Sequence, residues 1–123
     1  MASSDVNHER RQTARIRTHL PVRLSDSRTQ QVMQTLTKDL GTGGLRCISQ
    51  SAVAIDTPFT VEVTVPGRGE IVKLRGRTAW LGTIPYSGQY ELGIQFLEQT
   101  ELTSRLLSAY IERFLPESYQ VTA

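Results

Sequence analysis

The chain has 123 residues, 38% hydrophobic and 21% charged, with a formal net charge of +2; these values suit one soluble globular domain and exclude two separate cores. One cysteine, Cys47, excludes an intramolecular disulfide framework. There is no apolar run near the roughly 20 residues that span a bilayer and no apolar secretory stretch in MASSDVNHERR, so the chain reads as cytoplasmic and unexported.

In chain order, residues 1–9 are polar and aperiodic and read as a disordered tail. The folded domain is expected over 10–115, with 116–123 as a C-terminal tail. Residues 10–19 form an arginine-rich arm leading into a first strand, where Leu20, Val22 and Leu24 alternate with Pro21, Arg23 and Ser25. Pro21 lacks an N–H and belongs at a strand start or edge. Weaker strands are expected at about 31–38 and 45–49, on either side of Asp39-Leu40-Gly41-Thr42-Gly43-Gly44. Residues 50–58 read as a loop whose Val53 and Ile55 plug the core.

Phe59, Val61, Val63 and Val65 alternate with Thr60, Glu62 and Thr64, a strong strand pattern. Pro66-Gly67-Arg68-Gly69 is a turn, and the next strand starts at about Glu70, with Val72, Leu74, Thr78 and Trp80 on one face and Lys73, Arg75 and Arg77 on the other. A loop through Gly82, Pro85 and Gly88 leads to Tyr90, Leu92, Ile94 and Phe96, alternating with Glu91, Gly93 and Gln95. Finally Leu102, Leu106, Tyr110 and Phe114 recur every four residues beside Leu107 and Ile111, which predicts an amphipathic helix capped by Thr100 or Thr103 and stopped by Pro116. Six short strands and one terminal helix predict a mainly β fold: a six-stranded antiparallel β-barrel with a C-terminal amphipathic α-helix over an opening or edge.

Charge is unevenly placed. Arg10, Arg11, Arg15, Arg17 and Arg23 fall between residues 10 and 24 with no acid among them, whereas Glu91, Glu98, Glu101, Glu112 and Glu117 outnumber Arg105 and Arg113 from Tyr90 onward. This predicts an anion-binding end and a separate acidic face, the latter either a partner surface or simply solvated. Catalysis is not expected: His8 and His19 with one cysteine give no metal-site spacing, and no serine has the strand–turn–helix context of a nucleophile elbow.

Two segments carry binding chemistry. In Arg10-Arg11-Gln12-Thr13-Ala14-Arg15 the guanidiniums present planar forks that match phosphate oxygens and guanine edges and can stack on a purine. In Asp39-Leu40-Gly41-Thr42-Gly43-Gly44 the glycines allow positive φ and close approach of backbone to a ligand. A carboxylate at the edge of that turn can accept from the N1–H and N2–H₂ of guanine.

Taken in this order ahead of a barrel pattern, the segments resemble the PilZ family of cyclic di-GMP receptors. Arg11-Gln12-Thr13-Ala14-Arg15 matches that family's R-x-x-x-R motif, and Asp39 and Gly44 match the ends of its [D/N]-x-S-x-x-G motif. The resemblance continues in Leu20-Pro21-Val22-Arg23-Leu24, Gly76-Arg77-Thr78-Ala79-Trp80 and Tyr90-Glu91-Leu92-Gly93-Ile94-Gln95-Phe96, and so covers roughly residues 9–114. It implies a six-stranded barrel and a cyclic di-GMP ligand with no further cofactor. Arg11 and Arg15 would meet phosphates and guanine faces with Arg10 as helper, Asp39 would bond a guanine edge, and Gly43 and Gly44 would shape the turn. Trp80 would stand either against the ligand or in the core.

Gly41 occupies the position of the motif's serine. One lost hydrogen bond costs about 0.5–1.5 kcal/mol and added glycine flexibility up to about 1 kcal/mol, so binding is expected to weaken by about one order of magnitude, at most nearly two, and its abolition is not required. The expected function is a receptor-adaptor that relays ligand level to an effector protein through ordering of its arginine arm, as a monomer or homodimer, without nucleic acid or membrane. The alternative is a degenerate relative that no longer binds nucleotide and acts through protein contacts alone. A basic barrel for single-stranded nucleic acid is disfavoured because the arginine arm contains no aromatic platform.

Overall fold

The computed structural model describes residues 15–67 and 69–114. The tails at 1–9 and 116–123, with Pro116 and Glu117, lie outside these residues, as do Arg10 and Arg11. Within them the strands are β1 (Arg15–Arg17), β2 (Pro21–Asp26), β3 (Val32–Gly41), β4 (Gly44–Ser49), β5 (Pro58–Val65), β6 (Glu70–Ile84) and β7 (Gln89–Phe96), followed by helix α1 (Glu101–Glu112).

Each strand follows from its alternation. Val22 and Leu24 of β2, Phe59, Val61 and Val63 of β5, Val72 and Leu74 of β6, and Leu92, Ile94 and Phe96 of β7 all point inward and are buried. Each fully buried aliphatic side chain of this kind contributes about 1.5–3 kcal/mol, so strand register is set by keeping these residues out of water. All pairings are antiparallel, in the order β3-β2-β5-β6-β7-β4, and pairing of β4 back onto β3 closes a six-stranded barrel. Pro21 is the first residue of β2, where its missing donor is harmless.

The short β1 adds a seventh strand. It pairs with β3 through Arg15–Gly41, Ile16–Leu40 and Arg17–Asp39, so this part of the expected arm is strand. Three residues are too few to show a period, but Ile16 is buried and anchors the segment. Buried Thr37 holds the link between β1 and β2: its hydroxyl donates to the Thr18 carbonyl and accepts from the Leu20 N–H at 2.9 Å.

α1 lies against β6 and β3. Thr100 is its N-cap, accepting from the Thr103 N–H at 3.2 Å, and Leu107, Tyr110 and Ile111 are buried on the barrel. Leu102 and Phe114, expected on the same apolar face, are exposed. A step of four residues advances about 40° around a helix, so a stripe of such steps drifts by about 120° from Leu102 to Phe114 and its ends leave the core face.

Two other expectations need correction. Ile55 is exposed, so of the two residues expected to plug the core only Val53 packs on it. β6 continues to Ile84, through part of the expected loop. Among the described residues no helix is long and apolar enough to cross a membrane.

Candidate functional site

Two β-bulges arrange the outer surface where β1, β3, β4, β7 and β6 lie side by side. One shifts register between Thr37 and Asp39 of β3, and the other between Thr78 and Trp80 of β6. A bulge inserts one residue and re-aims the side chains beyond it. In β3 it leaves both Lys38 and Asp39 bonding to outer-face partners. In β6 it turns Trp80 outward: Thr78 is fully buried, whereas Trp80 is 41% exposed. Trp80 is therefore not a core tryptophan on the face of Val72 and Leu74, as simple alternation suggested.

The pairing now aligns Arg17, Asp39, Arg46, Gly93 and Trp80 in one row across β1, β3, β4, β7 and β6. Beside Asp39 and Arg46 a chain of charges of alternating sign assembles. Arg15 donates to Asp39 Oδ1 through Nε at 3.0 Å and Nη2 at 2.7 Å. Arg46 Nε donates to Asp39 Oδ2, and its Nη1 donates to Glu91 Oε1 at 3.0 Å. Lys38 Nζ completes the chain on Glu91 Oε2 at 2.7 Å. The acids lie deep and the cations above them: the Asp39 side chain is 6% exposed, those of Arg15 and Arg46 39% and 38%. The bond to Asp39 raises the Arg46 pKa, against an opposing contribution from burial. Both guanidiniums face an open cleft of about 610 Å³, lined also by Gly43, Gly44, Trp80, Gly93 and Gln95.

The glycines serve this site by close approach. A Cβ on Gly44 would lie 2.2 Å from the Ile94 carbonyl oxygen, so β4 meets β7 here only without a side chain. A Cβ on Gly93 would lie 2.2 Å from Trp80 Nε1, so the indole rests on the bare backbone of β7. Gly41 is the last residue of β3, opposite Arg15. The turn itself is Thr42-Gly43, shorter than expected, since Asp39 to Gly41 belong to β3 and Gly44 to β4. Neither Gly43 nor Gly44 has positive φ. The Gly43 carbonyl accepts from the Phe96 N–H at 2.9 Å, and the Thr42 carbonyl accepts from Gln99 Nε2 at 2.9 Å, just before α1.

Of the residues singled out in the sequence, Arg15, Asp39, Gly43, Gly44 and Trp80 line one cleft, with Gly41 paired to Arg15 at its edge. Three participants were missed: Arg46, Glu91 and Lys38. Counting back from a two-residue turn at Thr42-Gly43 places Arg46 opposite Asp39, so that signal was present in the sequence. Buried Cys47 is chemically quiet: burial, and secondarily Glu91, pushes its thiol pKa up to about 12. A smaller groove of about 230 Å³ between the β5–β6 turn and α1 is lined largely by Val65, Pro66, Val72, Leu106 and Tyr110, together with Glu70 and Arg113.

Residues 9–113 match the family model described as PilZ domain. No curated protein sequence matches the chain. Among solved structures, the Bacillus subtilis inhibitor of motility MotI superposes with a TM-score of 0.72 at 16% identity, covering 85% of this chain and 50% of MotI. The PilZ domain of Escherichia coli YcgR with c-di-GMP superposes with a TM-score of 0.63 at 16% identity, covering 80% of this chain and 88% of that domain. The K. pneumonia MrkH–c-di-GMP complex gives a TM-score of 0.66 at 14% identity, over 77% of this chain and 48% of MrkH. The chain thus spans about half the length of MotI and MrkH, and at these identities the likeness establishes the fold.

Proposed function

The chain belongs to the PilZ domain family, whose members are ligand-binding receptor domains for cyclic di-GMP, and from that premise we propose that it binds cyclic di-GMP in the cleft between Arg15, Asp39 and Trp80. One observation carries the reading. Arg15 and Asp39 lie 24 residues apart, in separate motifs, yet the guanidinium is fastened to the carboxylate at the rim of the cleft. Arg15 spends two of its five donors on Asp39 and keeps three for phosphate oxygens or a guanine. Arg11, outside the described residues, is the second motif arginine, and Arg10 its helper. Gly43 and Gly44 keep the cleft wall low, and the Trp80 indole offers a stacking surface for a base.

The role of Asp39 differs from a simple base reader. Both its oxygens already accept from arginines, so it first orients Arg15 and Arg46, and only a remaining acceptor position on Oδ2 is open to a guanine edge. Gly41 adds no hydroxyl, and an affinity weaker than that of relatives with serine follows.

The receptor acts by relay to an effector protein. Cyclic di-GMP neutralises the mutual repulsion of the arm's arginines and holds the arm against the barrel beyond the β1 pairing already in place, which re-forms the surface a partner reads. The bonds from Phe96 N–H to the Gly43 carbonyl and from Gln99 Nε2 to the Thr42 carbonyl tie the wall of the cleft to the end of β7 and the segment that leads into α1, giving a second route from ligand to surface.

Calorimetric titration of the parent, Arg11→Ala and Arg15→Ala with cyclic di-GMP tests the assignment. Charge-assisted bonds contribute about 1.5–3 kcal/mol each, so each variant is expected to bind at least about tenfold more weakly while melting as a folded barrel. Unchanged affinity in both variants overturns it.

A further inference from the structure

Arg46 stands at the middle of the outward row, with Asp39 on one side and, on the other, Gly93 beneath the Trp80 indole. Its Nε and one Nη1 hydrogen are committed to Asp39 and Glu91, which leaves three guanidinium hydrogens unspent. Those two acids fix the plane of the guanidinium from below, and a half-exposed side chain leaves its free edge to the cleft. A cross-strand ion pair with no further task needs no such position on the cleft wall.

Resting on the cyclic di-GMP reading, we propose that Arg46 is a guanine-selecting residue of the cleft, additional to the motif arginines, and donates to the O6 and N7 acceptors of a base stacked on Trp80. The distances suit it. Trp80 and Arg46 are separated in the row by the single strand β7, hence by about 10 Å between backbones, a span that a purine on the indole and an extended arginine bridge together. The chemistry suits it as well. Guanine presents two acceptors on the edge that an arginine fork matches, whereas adenine presents an amino donor in place of O6 and meets the same fork donor to donor. Asp39, with most of its acceptor capacity held by Arg15 and Arg46, is the lesser reader of the base. Glu91 is a positioning residue, acting only through Arg46, and Lys38 holds Glu91 from its far side.

The test compares cyclic di-GMP with cyclic di-AMP on the parent, Arg46→Lys and Arg46→Ala, by calorimetry with a thermal melt of each protein. Lysine keeps the charge beside Asp39 but lacks the fork, so Arg46→Lys is expected to stay folded and to lose roughly ten- to hundredfold in cyclic di-GMP affinity. Its affinity for cyclic di-AMP should fall far less, so that the preference for guanine collapses. A purely structural Arg46 predicts something else: equal losses for both ligands that track the melting temperature, or no loss in Arg46→Lys. Either result overturns the inference while leaving the receptor reading intact. A parent protein that binds neither ligand up to high micromolar concentration overturns both.

Discussion

The β3–β4 hairpin and the β6–β7 hairpin both turn on glycine, for opposite physical reasons. Gly88 in the β6–β7 turn has φ +69° and open space around the position of a Cβ, so only its backbone conformation demands glycine. Gly44 at the start of β4 has no positive φ, but the carbonyl of Ile94 occupies the place of its Cβ. The first glycine makes a turn, and the second lets two strands close on each other beside the cleft. A glycine cluster in a sequence signals both needs equally, and the pairing of the barrel tells them apart.

Substitutions sharpen that contrast. Gly44→Ala forces backbone from backbone, with no flexible side chain to yield, and is expected to cost about 3 kcal/mol or more, lowering the melting temperature by over about 10 °C. Gly93→Ala meets the Trp80 ring, which can swing away. The barrel should therefore persist with a smaller loss, of about 1–2 kcal/mol, while tryptophan emission shifts and ligand affinity falls with the lost stacking surface. Gly88→Ala should cost only about 1 kcal/mol, from the left-handed backbone alone, and leave binding unchanged. A Gly88→Ala protein less stable than Gly44→Ala would reverse the comparison.

The buried thiol gives a smaller effect of defined sign. Folding raises the Cys47 pKa from 9.0 to about 12, so the folded state holds a proton that the unfolded chain releases. This contribution is complete below about pH 9 and is lost as the pH rises toward 12. Cys47→Ser removes the thiol's ionisation and should flatten that part of the pH–stability curve, as chemical denaturation across pH 8–11 would reveal.

The barrel was legible in the sequence because its strands carry their own period: Phe59, Val61 and Val63 are inward wherever β5 pairs. The cleft was only half legible. Asp39 and Gly44 were marked by motif, but a bulge leaves no trace in a two-residue alternation until the partner strand is known. Trp80 thus read as continuing the Val72–Leu74–Thr78 face, although the register shift turns it to the surface. Arg46 had an ordinary place between Leu45 and Cys47, and only its partners across β3 and β7 give it a site. Period reports which face a residue takes, whereas function here depends on which strands lie side by side.

Trp80 is the only tryptophan of the chain, and it lines the cleft. Its emission during titration with cyclic di-GMP therefore reports on the proposed site alone. The account predicts a saturable change with cyclic di-GMP, absent with 5′-GMP at equal guanine concentration and shifted to at least about tenfold higher ligand in Arg15→Ala. Emission that stays constant up to high micromolar cyclic di-GMP, or an identical response in Arg15→Ala, would contradict it.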